Sequence, residues 1–368
     1  MLQPTKIYDF LVVGGGVIGL MTTRELLSQG QSVAVIDRSA VGQESSWAGG
    51  GILFPVDPGQ LPPAGMQLVT WSRNSYQALA DELLDETGID SEWIQSGCIV
   101  KNLGQGDAII KWTQSHGLTA EHINNDQRHT FAPALRENFG ASVWLPEIAQ
   151  IRNPRLLQAL KISVLQRGGD IFEHTPLQQI QINNGRAVSA ICNQHQFPAN
   201  NFILAAGAWT SSLLEPFGPA PVIEPVRGQM ICIKTPANRL TPIVMEGDYY
   251  LIPRKDGRIL VGSTVERVGF DKQTTQEAFE ALKQAAIQMA PELKDAEVEA
   301  HWAGLRPGSP DGIPTIAAHP EIENVYINAG HYRNGLVMAP ASARLMTQMA
   351  LNQTPIFDPA PYAISISS

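Results

Sequence analysis

Gly14, Gly16 and Gly19 stand in a Gly-x-Gly-x-x-Gly spacing directly after the apolar run Phe10-Leu-Val-Val. Glycines so placed bring backbone amides against a pyrophosphate. Gly14 permits the tight turn, Gly16 the close approach, and Gly19 the packing of the following helix on the strand. Asp37 ends the next apolar run, Ser32-Val-Ala-Val-Ile36, where a carboxylate can accept from ribose hydroxyls. Val17, Ile18 and Arg38 flank these positions and join the candidate cofactor-binding set. This much is the chemistry of dinucleotide binding, and it leaves FAD and a nicotinamide cofactor both open.

A second glycine-bounded turn, Gly330-His331-Tyr332-Arg333-Asn334-Gly335, opens a helix at Leu336. The first turn of a helix points its N–H groups and positive end at whatever lies before it. The pyrimidine end of a flavin suits that position, because the ring is then more easily reduced, whereas a nicotinamide has no such need. Two further stretches carry candidates. In Gly42-Gln-Glu-Ser-Ser-Trp-Ala-Gly-Gly-Gly51 the composition alone reads as a surface connection. After a nucleotide-binding start it is placed to offer Ser45, Ser46, Ala48, Gly49 and Gly50 to another part of the cofactor. Gly207 and Trp209 follow the apolar run Phe202-Ile-Leu-Ala-Ala in the same way.

The elements that must position these residues follow from hydrophobic periodicity. Helices are expected at 68–86, stopping before Gly88, at 153–166, opened by Asn153-Pro154, at 277–289, stopped by Pro291, and from Leu336 to about Ala350. The stretch 124–135 reads as irregular with a proline stop, and the polar tail from Asn352 as surface chain. Between 222 and 301 period-two strands dominate, with Lys255-Asp256-Gly257 as a hairpin turn. The fold class is therefore α/β, with a Rossmann-like FAD-binding domain assembled from 1–85, 146–221 and 302–368. An α+β substrate domain with a large antiparallel sheet comes from 86–145 and 222–301. The active site belongs where the two meet.

Composition narrows the partners. A net charge of −9 and the lack of any basic run give no footprint for nucleic acid or a membrane surface. Cys98, Cys192 and Cys232 are dispersed and odd in number, so neither a disulfide framework nor a zinc site is expected, and the eight histidines show no ligand spacing. The first strand begins within the first ten residues, which leaves no room for a signal peptide, and no apolar run reaches the length of a membrane span. The expectation is a cytoplasmic enzyme of small molecules, without a metal.

Gly14 to Gly19 with Asp37, Ala206-Gly-Ala-Trp209, Gly304-Leu-Arg-Pro-Gly308 with Asp311-Gly312, and Ala329-Gly-His-Tyr-Arg-Asn-Gly335 followed by Met338-Ala-Pro340 occur in order along nearly the whole chain. In these motifs it resembles the FAD-dependent amine oxidases of the D-amino acid oxidase superfamily. The likeness is greatest to the glycine-oxidising branch associated with making the thiazole of thiamine. The resemblance implies that Arg306 clamps the substrate carboxylate, a task suited to a planar two-pronged donor, and that Tyr250 or its neighbour Tyr249 adds a hydroxyl to it. It further implies that Arg333 stands at the site's edge and that Val265, where a relative has a larger apolar residue, lines the pocket. No base is implied, and His331 is given no proton transfer.

Substrates would be glycine, sarcosine and small D-amino acids such as D-alanine and D-proline. Dioxygen would be the acceptor and hydrogen peroxide a product, in a homotetramer. FAD would be non-covalent, since no cysteine lies near Gly308. Asp37 departs from the glutamate many members carry, and Thr23 from a common alanine. Two rival functions share the fold: a D-amino acid dehydrogenase that passes electrons to a quinone, and a flavin-binding subunit without turnover.

Overall fold

Every residue from Phe10 to Val13 is buried, and the two faces of this strand feed different cores. Phe10 and Val12 pack among Leu20, Leu68, Leu160 and Leu345, which come from helices Val17–Ser28, Pro63–Thr87, Asn153–Gln166 and Gly335–Ala350. Leu11 and Val13 pack on the other side with Phe197, Phe202 and Ile223. A strand covered on both faces has no solvent side, so its apolar run is continuous rather than alternating. The computed structural model describes residues 6–55, 61–101, 104–193, 195–236 and 240–364.

The sheet around this strand runs Thr315–Ala318, Val325–Ala329, His195–Leu204, Tyr8–Val13, Val33–Ile36, Asp170–Phe172, and the hairpin Gln179–Asn183 with Arg186–Cys192 branches from His195–Leu204. From Val325–Ala329 to Asp170–Phe172 every pairing is parallel. Gly14, Asp37, His174, Ala205 and Gly330 therefore all leave the same carboxyl edge, where open α/β sheets bind their ligands.

The second sheet runs Glu297–Gly308, Glu224–Lys234, Arg258–Gly262, Tyr249–Pro253, Ile243–Glu246, Cys98–Lys101, Ser142–Leu145, Glu121–Ile123. It is antiparallel except where Ile243–Glu246 pairs in parallel with Cys98–Lys101. Alternation sorts its side chains. Tyr249 and Leu251 turn toward helix Gln276–Met289, while Tyr250 and Ile252 turn toward Ile52 and Phe54 beside the cofactor loop.

Three local expectations change. Within 124–135 a helix forms at Asn125–Phe131, because Asn124 and Gln127 make a reciprocal capping box, with both bonds at 2.9–3.0 Å. The boundary placed at 302 falls inside strand Glu297–Gly308, which pairs with Glu224–Lys234 along its length. Pro307 and the glycines beside it read as turn formers, yet an edge strand tolerates them. The tail is not merely surface chain: Tyr362 is fully buried and its hydroxyl donates to the Ala64 carbonyl at 2.9 Å. Residues 365–368 lie outside the described residues.

Candidate active site

The carboxyl edge of the parallel sheet and the Tyr250 face of the second sheet enclose one elongated cavity. On the parallel-sheet side Gly14 adopts φ of 107°, and a Cβ there would stand 2.5 Å from the Ala205 carbonyl oxygen, so only glycine serves. Helix Val17–Ser28 starts at Gly16, which has no side chain to cap it, and carries no acid in its first turn. Helix Gly335–Ala350 starts at the cavity, likewise with no acid in its first turn. Two helix N-termini thus turn their positive ends to one space, a place for anionic groups.

The cradle is fixed by side chains drawn from several loops. Asp37 lines the cavity, but its Oδ2 accepts from the Gly15 amide at 2.7 Å and its Oδ1 from the Ser39 amide at 2.9 Å, so this acid also pins the glycine turn. Ser46 Oγ accepts from the Val17 amide at 2.9 Å, and Asn153 Nδ2 donates to the Ser46 carbonyl at 2.8 Å. Asn153 Oδ1 is buried with no hydrogen-bond partner among the described residues. Trp209 meets two neighbours: the Arg38 guanidinium lies 3.5 Å from its ring centroid and the Phe270 ring stacks on it at 5.4 Å.

On the second-sheet side stands Arg306. Its Nη2 donates to Ser263 Oγ at 2.7 Å and its Nη1 to the Thr264 carbonyl at 3.1 Å. The guanidinium lies flat on Gly228, where a Cβ would fall 2.1 Å from Nη1. The Tyr250 ring rests on Gly262, with its hydroxyl near enough to Arg306 to favour the guanidinium's charge. No carboxylate among the described residues pairs with Arg306, and burial, the main cause, lowers its pKa. Arg333 lines the same cavity close enough to lower that pKa further. His331 is 1% exposed, with Nε2 at 2.9 Å from Ser342 Oγ, and burial pulls its pKa down to about 3. It is a neutral imidazole turned to a serine.

Of the candidate residues, Gly14, Gly16, Val17, Ile18, Asp37, Arg38, Ser45, Ser46, Ala48, Gly49, Gly50, Gly207, Trp209, Tyr250, Arg306, His331, Arg333, Gly335 and Leu336 line this cavity. Four do not. Gly19 is a packing residue, since a Cβ would meet the Gly14 carbonyl oxygen at 1.8 Å. Gly330 shapes the turn at φ of 88°. Asn334 lines a neighbouring cavity with Glu224 and Asp311. Val265 is 46% exposed on the segment after strand Arg258–Gly262, away from the lining residues. The resemblance that placed it in the pocket does not carry over to this position, because the chain has left the strand at Gly262.

Sequence reading missed Thr175, Pro176 and Leu177, which follow strand Asp170–Phe172 at the ligand edge, and Gly228 and Met230 on the second sheet. The first three become visible once that strand is known to pair beside Val33–Ile36. The other two carry no local signal.

A family model described as FAD dependent oxidoreductase matches residues 9–349. The chain belongs to that family. FAD is accordingly the cofactor, and the two helix N-termini and the glycine turn at the cavity fit it. This FAD-dependent oxidoreductase is 42% identical over 354 residues to a glycine oxidase of Pseudomonas aeruginosa, covering 96% of this chain and 97% of that one. It is 33% identical to the bifunctional protein ThiO/ThiG of Synechocystis, covering 94% of this chain and 52% of that protein. The crystal structure of glycine oxidase from Geobacillus kaustophilus superposes with a TM-score of 0.92 at 27% identity, over 98% of this chain and 99% of that one. No described helix is long and apolar enough to cross a membrane, and no described cluster of His, Cys, Asp and Glu could hold a metal.

Proposed function

We propose that the protein oxidises glycine, and more broadly sarcosine and small D-amino acids such as D-alanine and D-proline, with dioxygen as acceptor. The observation that carries this reading is the Arg306 guanidinium, half-buried at the cofactor cavity with neutral acceptors behind it and no carboxylate of its own among the described residues. The likeness to glycine oxidases along nearly the full chain supports the amino-acid class. Hydrogen peroxide would form with every substrate, the primary amines glycine and D-alanine giving the oxo acid and ammonia, sarcosine giving glyoxylate and methylamine, and D-proline its cyclic imine. The imine of glycine would serve thiazole synthesis. Three buried, free cysteines accord with a reducing cytoplasm, and the family resemblance with a homotetramer.

FAD, held non-covalently, supplies the hydride acceptor and the route of electrons to dioxygen. The chain's own residues bind and orient. Arg306 and the Tyr250 hydroxyl hold the carboxylate at the second sheet, which fixes the Cα–H relative to the cofactor side of the cavity. The uncapped N-terminus of Gly335–Ala350 favours negative charge at the cavity wall beside it. His331 stays neutral and engaged with Ser342, so no proton transfer is routed through it, and the substrate amine enters already deprotonated.

The test is peroxide and oxo-acid formation by the purified holoprotein with glycine, sarcosine, D-alanine, D-proline and L-alanine. Turnover of glycine with equal peroxide and glyoxylate supports the reading. Substrate-driven reduction that only a quinone relieves would transfer the assignment to a dehydrogenase. Yellow protein that no amino acid reduces would leave a flavin-binding subunit.

A further inference from the structure

Arg306 is held from behind by a segment that does not itself line the cavity. Ser263, 2% exposed, takes Nη2 on its hydroxyl, and the Thr264 carbonyl takes Nη1. Both acceptors are neutral. A carboxylate in their place would cancel the charge that an incoming carboxylate needs, whereas a hydroxyl fixes the fork and leaves its charge available.

The segment carrying Ser263 is anchored by a second, fully compensated arginine. Arg227 and Glu266 exchange backbone bonds at 2.8 and 2.9 Å, while Arg227 Nε donates to Glu266 Oε2 at 3.0 Å and Nη1 to Asp271 Oδ2 at 2.7 Å. Thr264 Oγ1 accepts from the Gln229 amide at 2.9 Å and donates to Glu266 Oε1 at 2.5 Å. Two arginines from neighbouring strands thus take opposite parts. Arg227 spends its charge on acids to brace the segment, and Arg306 rests on that segment's neutral groups.

We propose that Ser263 is a positioning residue for the carboxylate clamp: its hydroxyl sets the plane of the Arg306 guanidinium against Gly228, so that the remaining N–H donors face the cavity. This rests on Arg306 being the clamp, and the experiment separates the two. Ser263→Ala leaves a buried guanidinium N–H without its acceptor and frees the fork to tilt. Ser263→Thr keeps the hydroxyl, and Ser263→Cys keeps the size with a weak acceptor.

The holoproteins are compared by KM and kcat for glycine, by the dissociation constant of acetate read from the flavin absorbance, and by flavin content and Tm. Ser263→Ala is expected to raise KM and the acetate constant together, about tenfold, with kcat within about twofold and flavin content unchanged. Ser263→Thr should return both to within about twofold, and Ser263→Cys should lie between. If Ser263→Ala does not fold, the Thr and Cys pair carries the comparison. An acetate constant that ignores residue 263, or a loss in Tm without one in carboxylate affinity, overturns the proposal. Arg306→Ala run alongside tests the clamp itself: an unchanged KM there removes the proposed function, whatever Ser263 does.

Discussion

Arg254 Nη2 donates to the Gly50 carbonyl at 2.8 Å, tying the end of a second-sheet strand to the cofactor loop. The same guanidinium donates through Nη1 to Gln150 Oε1 at 2.9 Å and to the Ile151 carbonyl at 3.1 Å. Burial drives its pKa down to about 10, so this is a cation kept in a dry place by carbonyl dipoles. It joins the two halves of the cavity wall, which come from chain segments far apart in sequence.

Arg254→Ala should be among the most destabilising single substitutions. Three acceptors lose their donor at once, and the cost is about 3 kcal/mol. Thermal unfolding should show a fall in Tm, and the purified protein should retain less flavin. A Tm within error of the parent would mean that these bonds do not brace the loop.

Gly228→Ala should damage substrate binding without emptying the protein of flavin. The new methyl occupies the place of the Arg306 guanidinium, which must leave the plane of Gly228. A misplaced clamp is expected to raise KM for glycine about a hundredfold. Steady-state kinetics and flavin content measured together decide this.

Phe270→Ala should loosen the cofactor. Its ring stacks on Trp209, which lines the cavity, and an aromatic pair contributes about 1 kcal/mol. Fluorescence of released flavin should report a dissociation constant about fivefold higher. An unchanged constant would confine the stack to surface packing.

His331 gives the fold a defined pH signature. Unfolded, it takes up a proton at its ordinary value of 6.5; folded, it does so only near 3. Between these values the unfolded chain binds more protons. The stability held above the upper value is therefore lost as pH falls toward the lower one, at up to about 1.4 kcal/mol per pH unit. Urea unfolding at about pH 7 and about pH 5 should give a gap that is about 2 kcal/mol smaller in His331→Asn. Equal gaps in the two proteins would mean that His331 is not the group.

Three strands of the parallel sheet were legible because each ends on a short signal: Gly14 after Val13, Asp37 after Ile36, Gly330 after Ala329. Glycine and acid at a strand's end are chemical statements that survive without an alignment. The choice between Tyr249 and Tyr250 was not legible, since the phase of a two-residue alternation depends on which face the neighbouring helix covers. Val265 was placed by family likeness alone, and it stands exposed on the segment after the strand that stops at Gly262. Ser263, Gly228 and Arg254 lie in segments that only tertiary pairing brings to the cavity, and nothing local distinguishes them from ordinary strand and loop residues. The helix Asn125–Phe131 could have been read from Asn124 and Gln127.

Anaerobic mixing of the holoprotein with glycine, followed by air, tests the central claim most directly when wild type and Arg306→Ala are run together. Glycine should bleach the flavin band of the wild type, and air should restore it with peroxide. Arg306→Ala, carrying the same flavin, should need a glycine concentration at least about a hundredfold higher for the same extent of reduction. Equal reduction of both proteins at low glycine, or no reduction of the wild type by any small amino acid, would contradict it.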